Sequence, residues 1–160
     1  MNNNILIIGS TGKLGFKLLN YIFKEKLVVN TITCFSNKKK LLDQKKKYNI
    51  DRSFALSISS EKRDFLNLIS KSKFSIVYFL DYGSSSLIFL DLILKNNSEC
   101  TIAIANKEMI VAGGHLLRNK IIETNNKLIP LDSEHFSLFR LNPNDNETKF
   151  LYITASGGPF

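Results

Sequence analysis

The chain has 160 residues, 44% of them hydrophobic, which excludes a disordered segment and suffices for a domain with its own core. No apolar run is long enough to cross a membrane and no secretory signal opens the chain, so we expect no membrane partner and a cytoplasmic location, or a plastid-type lumen in a eukaryote. The net charge of +8 lies largely in two lysine triplets without interleaved aromatic residues, and we expect no nucleic-acid partner.

The chain opens with an apolar run at 5–8, typical of a buried parallel strand, followed by a glycine-rich turn and a helical pattern. Glycines allow a tight turn and close approach of N–H groups to a pyrophosphate, and the helix N-terminus adds partial positive charge. The spacing is GxxGxxG instead of GxGxxG, so an ordinary strand–helix turn stays open as the alternative. The residues predicted to bind a dinucleotide here are Gly9, Ser10, Thr11, Gly12, Lys13 and Leu14.

A second strand is predicted at 28–35, and the residues after such a strand select the cofactor. Ser36, Asn37 and a lysine run stand there, without a carboxylate for a ribose 2′-hydroxyl. Hydroxyl, amide and ammonium groups suit a 2′-phosphate, so we predict NADPH, with Ser36 and Asn37 among its contacts. The alternative is a solvated lysine run that opens a surface helix.

Strands and helices continue to alternate along the chain. Strands are predicted at 55–58, 74–80 and 100–104, and helices at 41–48, 61–70, 87–94 and 109–125, the last interrupted at Gly113 and Gly114. This pattern predicts an α/β fold with a Rossmann-like doubly wound parallel sheet. Cys34 and Cys100 are isolated in or near apolar runs and are predicted to be buried thiols.

Asn106, Lys107 and Glu108 directly follow the predicted strand at 100–104. Ligands of doubly wound sheets lie at the carboxyl ends of the strands, so these side chains are candidates for cofactor, substrate and acid–base contacts. The alternative is that Asn106 caps the next helix while the two charges are solvated.

Asp132, Ser133, Glu134 and His135 follow a short apolar run at 128–131. On an extended backbone, alternation would direct Asp132 and Glu134 to one face, where two hard oxygen ligands could hold Mg²⁺ or Mn²⁺. The alternative is that Asp132 or Ser133 caps a helix with Glu134 in its first turn.

A final strand is predicted at 150–154, followed by Ser156 and two glycines. Hydroxyl and N–H donors at such a strand end suit a phosphate, and a flexible turn is the alternative.

Four segments of the chain together resemble 1-deoxy-D-xylulose-5-phosphate reductoisomerase. They are the glycine turn, 105–108 with Val111 and Gly113, 132–135 with Phe139, and 154–160. Their order and spacing are compatible with the family, and the resemblance spans essentially the whole chain but only the first part of the family's length.

The resemblance implies that 1-deoxy-D-xylulose 5-phosphate is rearranged and then reduced with NADPH to 2-C-methyl-D-erythritol 4-phosphate, on the non-mevalonate route to isoprenoids. It implies a divalent metal on Asp132 and Glu134, supported by His135. It further implies catalytic roles for Lys107 and Glu134, cofactor contacts from Asn106 and Glu108, and a substrate site comprising Lys107, Ser133, Glu134 and Ser156.

The resemblance also implies a homodimer in the full-length family, and we expect this chain to be incomplete and inactive alone. We predict an NADPH-binding domain at 1–127 and the beginning of a truncated α+β catalytic, metal-binding domain at 128–160. The alternatives are a truncated inactive relic and a dinucleotide-binding regulatory domain. Departures from the family's usual residues are Lys13 and Leu14 in the glycine turn, the segment 36–38, Ser86 in place of a glycine, and Arg140 in place of a glutamine.

Overall fold

The computed structural model describes residues 4–141, 148–150 and 152. Strands and helices alternate along the first of these ranges. The strands are β1 (Ile5–Ile8), β2 (Thr31–Cys34), β3 (Arg52–Ala55), β4 (Ile76–Phe79), β5 (Thr101–Ile104) and β6 (Lys127–Pro130). The helices are α1 (Lys13–Lys24), α2 (Lys38–Lys47), α3 (Ser59–Ile69), α4 (Leu87–Asn96), preceded by a 3-10 turn at Ser84–Ser86, α5 (Lys107–Glu123) and α6 (Ser133–Leu141).

All six strands pair in parallel in the order β3-β2-β1-β4-β5-β6. This is the doubly wound order, and it confirms the predicted Rossmann-like fold. The strand order reverses between β1 and β4, and the crevice outside the carboxyl ends of those strands is where such sheets bind ligands.

The core lies on both faces of the sheet, because successive side chains of a strand point to opposite faces. In β1, Leu6 and Ile8 belong to one buried apolar cluster, whereas Ile5 and Ile7 belong to the other. A strand covered on both faces must be apolar throughout, which is why the short run at 5–8 carries a clear signal.

Asparagine side chains satisfy backbone N–H groups at the amino ends of three strands. Asn30 Oδ1 accepts from Ile5 N at 3.0 Å, Asn97 Oδ1 from Phe74 N at 2.6 Å, and Asn126 Oδ1 from Cys100 N at 2.8 Å. These amides close that edge of the sheet, and the opposite edge is left for the glycine turn and the other polar segments.

Two predicted elements differ from the observed ones. The predicted strand at 55–58 is wrong: β3 ends at Ala55, where the Ala55 N–H donates to Glu61 Oε2 at 2.7 Å and Ile58 N turns back onto Ala55 O. Helix α2 begins at Lys38, three residues before the predicted start, because Asn37 caps it. The predicted break in α5 is confirmed at Gly114, whose φ of 47° and ψ of −137° are not helical.

Strand β6 pairs with β5, so residues 127–130 belong to the six-stranded sheet. The predicted boundary at 127/128 therefore falls inside a strand of that sheet, and the start of an α+β domain after it stays a prediction. Within the described ranges, no helix combines the length and the apolar composition that crossing a membrane requires.

Candidate functional site

The glycine turn, residues 9–15, joins β1 to α1 at the carboxyl edge of the sheet. The N–H groups of Gly9 and Ser10 both donate to Thr33 O, at 3.1 and 2.9 Å, which ties the turn to β2. A Cβ atom on Gly9, whose φ is 85°, would lie 2.6 Å from Asp81 N. A Cβ on Gly15 would lie 2.5 Å from Ser10 O, so both positions require glycine.

Ser10 is fully buried beneath this turn. Its hydroxyl donates to Gln44 Oε1 at 2.9 Å and Gln44 Nε2 donates to Ser10 O at 3.0 Å, so that one amide of α2 satisfies both polar groups. The Ser10 side chain therefore holds the turn in shape, and its predicted contact with a cofactor stays a prediction. Gln44 was missed in the sequence because it stands among lysines in a segment that has the composition of a surface helix.

Helix α1 begins at Lys13, and no side chain caps it at Gly12. The first N–H groups of a helix have no acceptor within the helix, so those of Lys13 and Leu14 are donors for an anion. Lys40 Nζ lies 2.6 Å from Thr11 O, which adds a positive charge beside the turn. The lysine run predicted cations near here, but did not indicate which lysine reaches the turn.

The residues predicted after β2 have mainly local roles in the structure. Asn37 Oδ1 accepts from Lys40 N at 3.1 Å and caps α2, and Lys38 Nζ pairs with Glu61 Oε1 at 2.6 Å. These contacts match the alternative of a lysine run that opens a helix. Ser36 is exposed next to Phe35, and cofactor contacts from Ser36 and Asn37 stay predictions.

A cavity of about 430 Å³ lies at the switch point, between the ends of β1, β2 and β4. Its wall combines apolar side chains with hydroxyl groups and backbone of the turn after β4. The lining residues are Ile8, Gly9, Thr33, Cys34, Phe35, Leu56, Lys62, Asp81, Tyr82, Gly83, Ser84, Ser85, Ser86 and Phe89. Concave sites of this size and composition take small molecules, and this one adjoins the glycine turn.

Asp81 lies two residues after the end of β4 and contributes a carboxyl group to that cavity wall. Ser86 donates its hydroxyl to Asp81 Oδ2, and Asn106 Nδ2 lies 3.4 Å from Oδ1. Burial raises the pKa of Asp81 above its usual range, against the opposing effect of these two hydrogen bonds, and the charge of Glu108 adds to the increase. The sequence predicted no role for this carboxyl group.

Asn106 is buried between β5 and α5. Its Oδ1 accepts from Met109 N at 3.1 Å and caps α5, and its Nδ2 donates to Gly83 O at 2.8 Å. The capping alternative is therefore observed. Lys107 and Glu108 are exposed in the first turn of α5.

The acidic turn, residues 132–135, connects β6 to α6. The expectation that Asp132 and Glu134 share a face of an extended strand is wrong, because α6 begins at Ser133 and puts Glu134 in its first turn. Asp132 Oδ2 accepts from His135 N at 3.1 Å and lies 2.6 Å from His135 Nδ1. Asp132 is thus the N-terminal cap of α6, and contacts with His135 orient the Asp132 carboxylate.

Glu134 is exposed, and Ser133 donates its hydroxyl to Glu134 Oε2 at 2.7 Å. This hydrogen bond, and to a smaller degree the charge of the Lys107 ammonium, holds the pKa of Glu134 below its usual range. Lys107 begins α5 and Glu134 lies in the first turn of α6, so these two predicted active-site residues stand at the starts of helices that follow neighbouring strands.

The acidic turn offers oxygen atoms of the kind that bind a divalent cation. Asp132 Oδ1 is buried and has no hydrogen-bond partner among the described residues, so it is an acceptor without a donor. Carboxylate oxygens suit Mg²⁺ and Mn²⁺, which usually keep several waters and need few protein ligands. Among the described residues no group of three or more His, Cys, Asp or Glu is arranged to hold a metal ion. Asp132 Oδ1 is therefore suited to a coordination shell, and the metal site of Asp132 and Glu134 stays a prediction.

Ser156, predicted to bind the substrate phosphate, lies outside the described residues, as do the residues that follow it. Its role stays a prediction. Most of the strand predicted at 150–154 also lies outside them.

The fold and the glycine turn at its switch point define a Rossmann-like α/β protein. No protein-family model matches the sequence. The 1-deoxy-D-xylulose 5-phosphate reductoisomerase of Malacoplasma penetrans (strain HF-2) is 34% identical over 159 residues, which are 98% of this chain and 42% of that protein. The reductoisomerase of Pelagibacter ubique (strain HTCC1062) is 34% identical over 177 residues, or 98% of this chain and 45% of that protein.

Solved structures of reductoisomerases have the same fold. The enzyme from Zymomonas mobilis in complex with NADPH superimposes with a TM-score of 0.73 at 23% identity, over 88% of this chain and 41% of that one. A reductoisomerase in complex with NADPH, fosmidomycin and magnesium gives 0.69 at 19% identity, over 83% of this chain and 37% of that one.

The predicted resemblance is therefore confirmed: the chain is a homologue of the 1-deoxy-D-xylulose 5-phosphate reductoisomerases along nearly its whole length. It spans less than half the length of the curated relatives that it matches.

Proposed function

We propose that this chain supplies the NADPH-binding part and the first metal ligands of a 1-deoxy-D-xylulose 5-phosphate reductoisomerase. The reaction is the rearrangement of 1-deoxy-D-xylulose 5-phosphate followed by reduction to 2-C-methyl-D-erythritol 4-phosphate. Sequence similarity over 98% of the chain to relatives that carry this name supports the proposal. A homodimer of the complete enzyme is part of it.

The observation that carries the proposal is that three separate polar segments meet the carboxyl edge of one sheet. The glycine turn follows β1, Lys107 opens the helix after β5, and Glu134 opens the helix after β6. In the order β1-β4-β5-β6, β5 and β6 are neighbours, and one strand separates β1 from β5. A ligand long enough to reach from the glycine turn toward α5 would carry its far end to the region of Lys107 and Glu134.

In this proposal the residues of the chain bind and orient the cofactor, the substrate and the cation, and neutralise their charges. The α1 N–H groups and Lys40 hold the cofactor phosphates, while Lys107 binds the substrate hydroxyls through its exposed ammonium. Asp132 and Glu134 hold the cation. His135 orients the Asp132 carboxylate, and Ser133 donates a hydrogen bond to Glu134. When bound, the cation polarises the substrate's carbonyl and hydroxyl oxygens and NADPH supplies the hydride.

The test uses the polypeptide as its source cell produces it. With 1-deoxy-D-xylulose 5-phosphate and Mn²⁺, NADPH should be oxidised. The double variant Asp132→Asn, Glu134→Gln should abolish that oxidation and leave NADPH binding unchanged. Glu123→Gln, an exposed acid at the end of α5, is the matched control.

The outcomes are distinct. Turnover that survives the double variant would refute the metal site. NADPH binding by the wild-type protein without turnover would favour the inactive or regulatory alternative, and failure to bind NADPH would refute the proposal as a whole.

A further inference from the structure

Asp81 joins three segments of the chain through one carboxyl group. It follows β4, its Oδ2 accepts from Ser86 in the 3-10 turn, and its Oδ1 lies 3.4 Å from the Asn106 amide. The same amide donates to Gly83 O at 2.8 Å and belongs to the residue that caps α5. The end of β4, the turn before α4 and the start of α5 are thereby held to one another.

This cluster also lies directly against the glycine turn. The nearest atom to a Cβ built on Gly9 is Asp81 N, at 2.6 Å, so the two backbones are in tight contact. Gly9, Asp81 and Ser86 all line the cavity of about 430 Å³ at the switch point. A ligand that binds beside the glycine turn would therefore contact the part of the cavity wall that Asp81 stabilises.

We propose that Asp81 is a positioning residue of the dinucleotide site, which, through Ser86 and Asn106, fixes the turn after β4 and the first turn of α5 at the cavity wall. Neither Asp81 nor Ser86 has a role in the site predicted from the sequence. The inference rests on the proposed binding of NADPH and goes beyond it by assigning the cavity wall beside the glycine turn to a half-buried acid.

The charge on Asp81 gives this role a signature in pH. The groups that face it are Glu108 on α5, whose charge acts against its ionisation, and Lys62 on α3, which shares the cavity, as does the Cys34 thiol. Burial already raises the pKa of this carboxyl. The negative charges of a bound dinucleotide would raise it further, so binding favours the protonated acid. By linkage, NADPH affinity should decrease as the pH rises.

The experiment is a fluorescence titration of the 160-residue chain with NADPH between about pH 5.5 and about pH 8.5, where a raised carboxyl pKa has its effect. The variants are Asp81→Ala, which removes both hydrogen bonds, and Asp81→Asn, which can retain them without the charge. Asp51→Asn, an exposed acid at the opposite edge of the sheet, is the control. The melting temperature of each variant reports whether it folds.

We expect Asp81→Ala to bind NADPH about five- to thirtyfold more weakly, the factor for one or two kcal/mol. Asp81→Asn should bind at least as tightly as the wild type at high pH and should lose the pH dependence, and Asp51→Asn should behave as the wild type. A merely structural role would change the melting temperature and leave the pH dependence intact.

Three results would overturn the inference. They are wild-type affinity in Asp81→Ala, a wild-type pH dependence in Asp81→Asn, and wild-type affinity that does not change with pH. If Asp81→Ala does not fold, the pH dependence of Asp81→Asn decides. A wild-type chain that does not bind NADPH would refute the proposed function and this inference with it, whereas normal wild-type binding that the variants leave unaltered refutes this inference alone.

Discussion

The glycine turn and the acidic turn lie at the same edge of the sheet but are held in different ways. The glycine turn is fixed by residues far along the chain, because Thr33, Gln44 and Lys40 all bond to it from β2 and α2. Within the part of the chain that the structure describes, the hydrogen bonds of the acidic turn connect residues at most four positions apart, such as Asp132 with His135 and Ser133 with Ser137. Changes in the first turn should therefore affect the whole fold, and changes in the second should remain local.

The largest effect is expected from Gly15→Ala. Its Cβ would lie 2.5 Å from Ser10 O and 2.7 Å from Gly9 O, and backbone atoms of a fixed turn cannot move aside cheaply. Overpacking of this kind costs roughly 1–3 kcal/mol of unfolding free energy, and we expect the upper end. Gly12→Ala is the control, since its Cβ would meet only Gly9 O at 3.5 Å.

Chemical denaturation of both variants measures the difference. Gly12→Ala should cost less than about 1 kcal/mol, the scale of replacing a glycine at a helix N-cap by alanine. Equal losses in the two variants would show that the glycine turn is not held as tightly as its contacts indicate.

Gln44→Ala should come next, at roughly 1–3 kcal/mol of unfolding free energy, because it removes the side-chain donor to the Ser10 carbonyl and leaves the buried Ser10 hydroxyl with Thr33 O alone. It should also weaken NADPH binding, since Ser10 shapes the turn. Asn67→Ala, an exposed amide on α3, is the control. A Gln44→Ala protein as stable as Asn67→Ala would contradict the long-range anchoring of the glycine turn.

The contrast between the two turns also explains what the sequence could reveal. Fully apolar strands such as 5–8 and alternation with helices predicted the sheet, because burial on both faces leaves a signal in every residue. Gln44 and Asp81 could not be found this way, since a buried amide within a charged helix and an acid in a polar turn have the composition of a surface. For the acidic turn, the error was the assumption of an extended backbone past Asp132, where a helix begins one residue later.

A smaller and local effect is expected at the acidic turn. Asp132→Ala removes the cap of α6 and should weaken that helix by about 1 kcal/mol, while Asp132→Asn retains a capping side chain. Hydrogen exchange of the α6 amides should accelerate in the alanine variant only, with little change in the global unfolding free energy. A global loss as large as that of Gly15→Ala would break the distinction between the two turns.

Asp81→Asn should change stability in a pH-dependent way. The raised pKa means that the folded protein binds this proton more tightly than the unfolded chain. That contribution is fully present below the ordinary carboxyl pKa and is lost as the pH rises through the raised value. The variant should therefore melt like the wild type at about pH 4 and higher than it at about pH 7. The same difference at both pH values would contradict the direction of the shift.

The smallest effect is expected for the rate of thiol labelling. This rate should respond to NADPH, the ligand proposed for the glycine turn, and not to Mn²⁺, the ligand proposed for the acidic turn. Burial and the charge of Glu61 raise the pKa of Cys34, and burial raises that of Cys100 to about 12, so both thiols should react slowly at about pH 8. Cys34 lines the cavity beside the glycine turn, whereas Cys100 lies in the core, so Cys34 should react first.

In a Cys100→Ala chain, NADPH at ten times its Kd should slow Cys34 labelling about tenfold. Mn²⁺ at equal saturation should leave the rate unchanged, because among the described residues the acidic turn is hydrogen-bonded by its own neighbours. Protection by Mn²⁺ as strong as that by NADPH would show that the two turns form one cooperative unit.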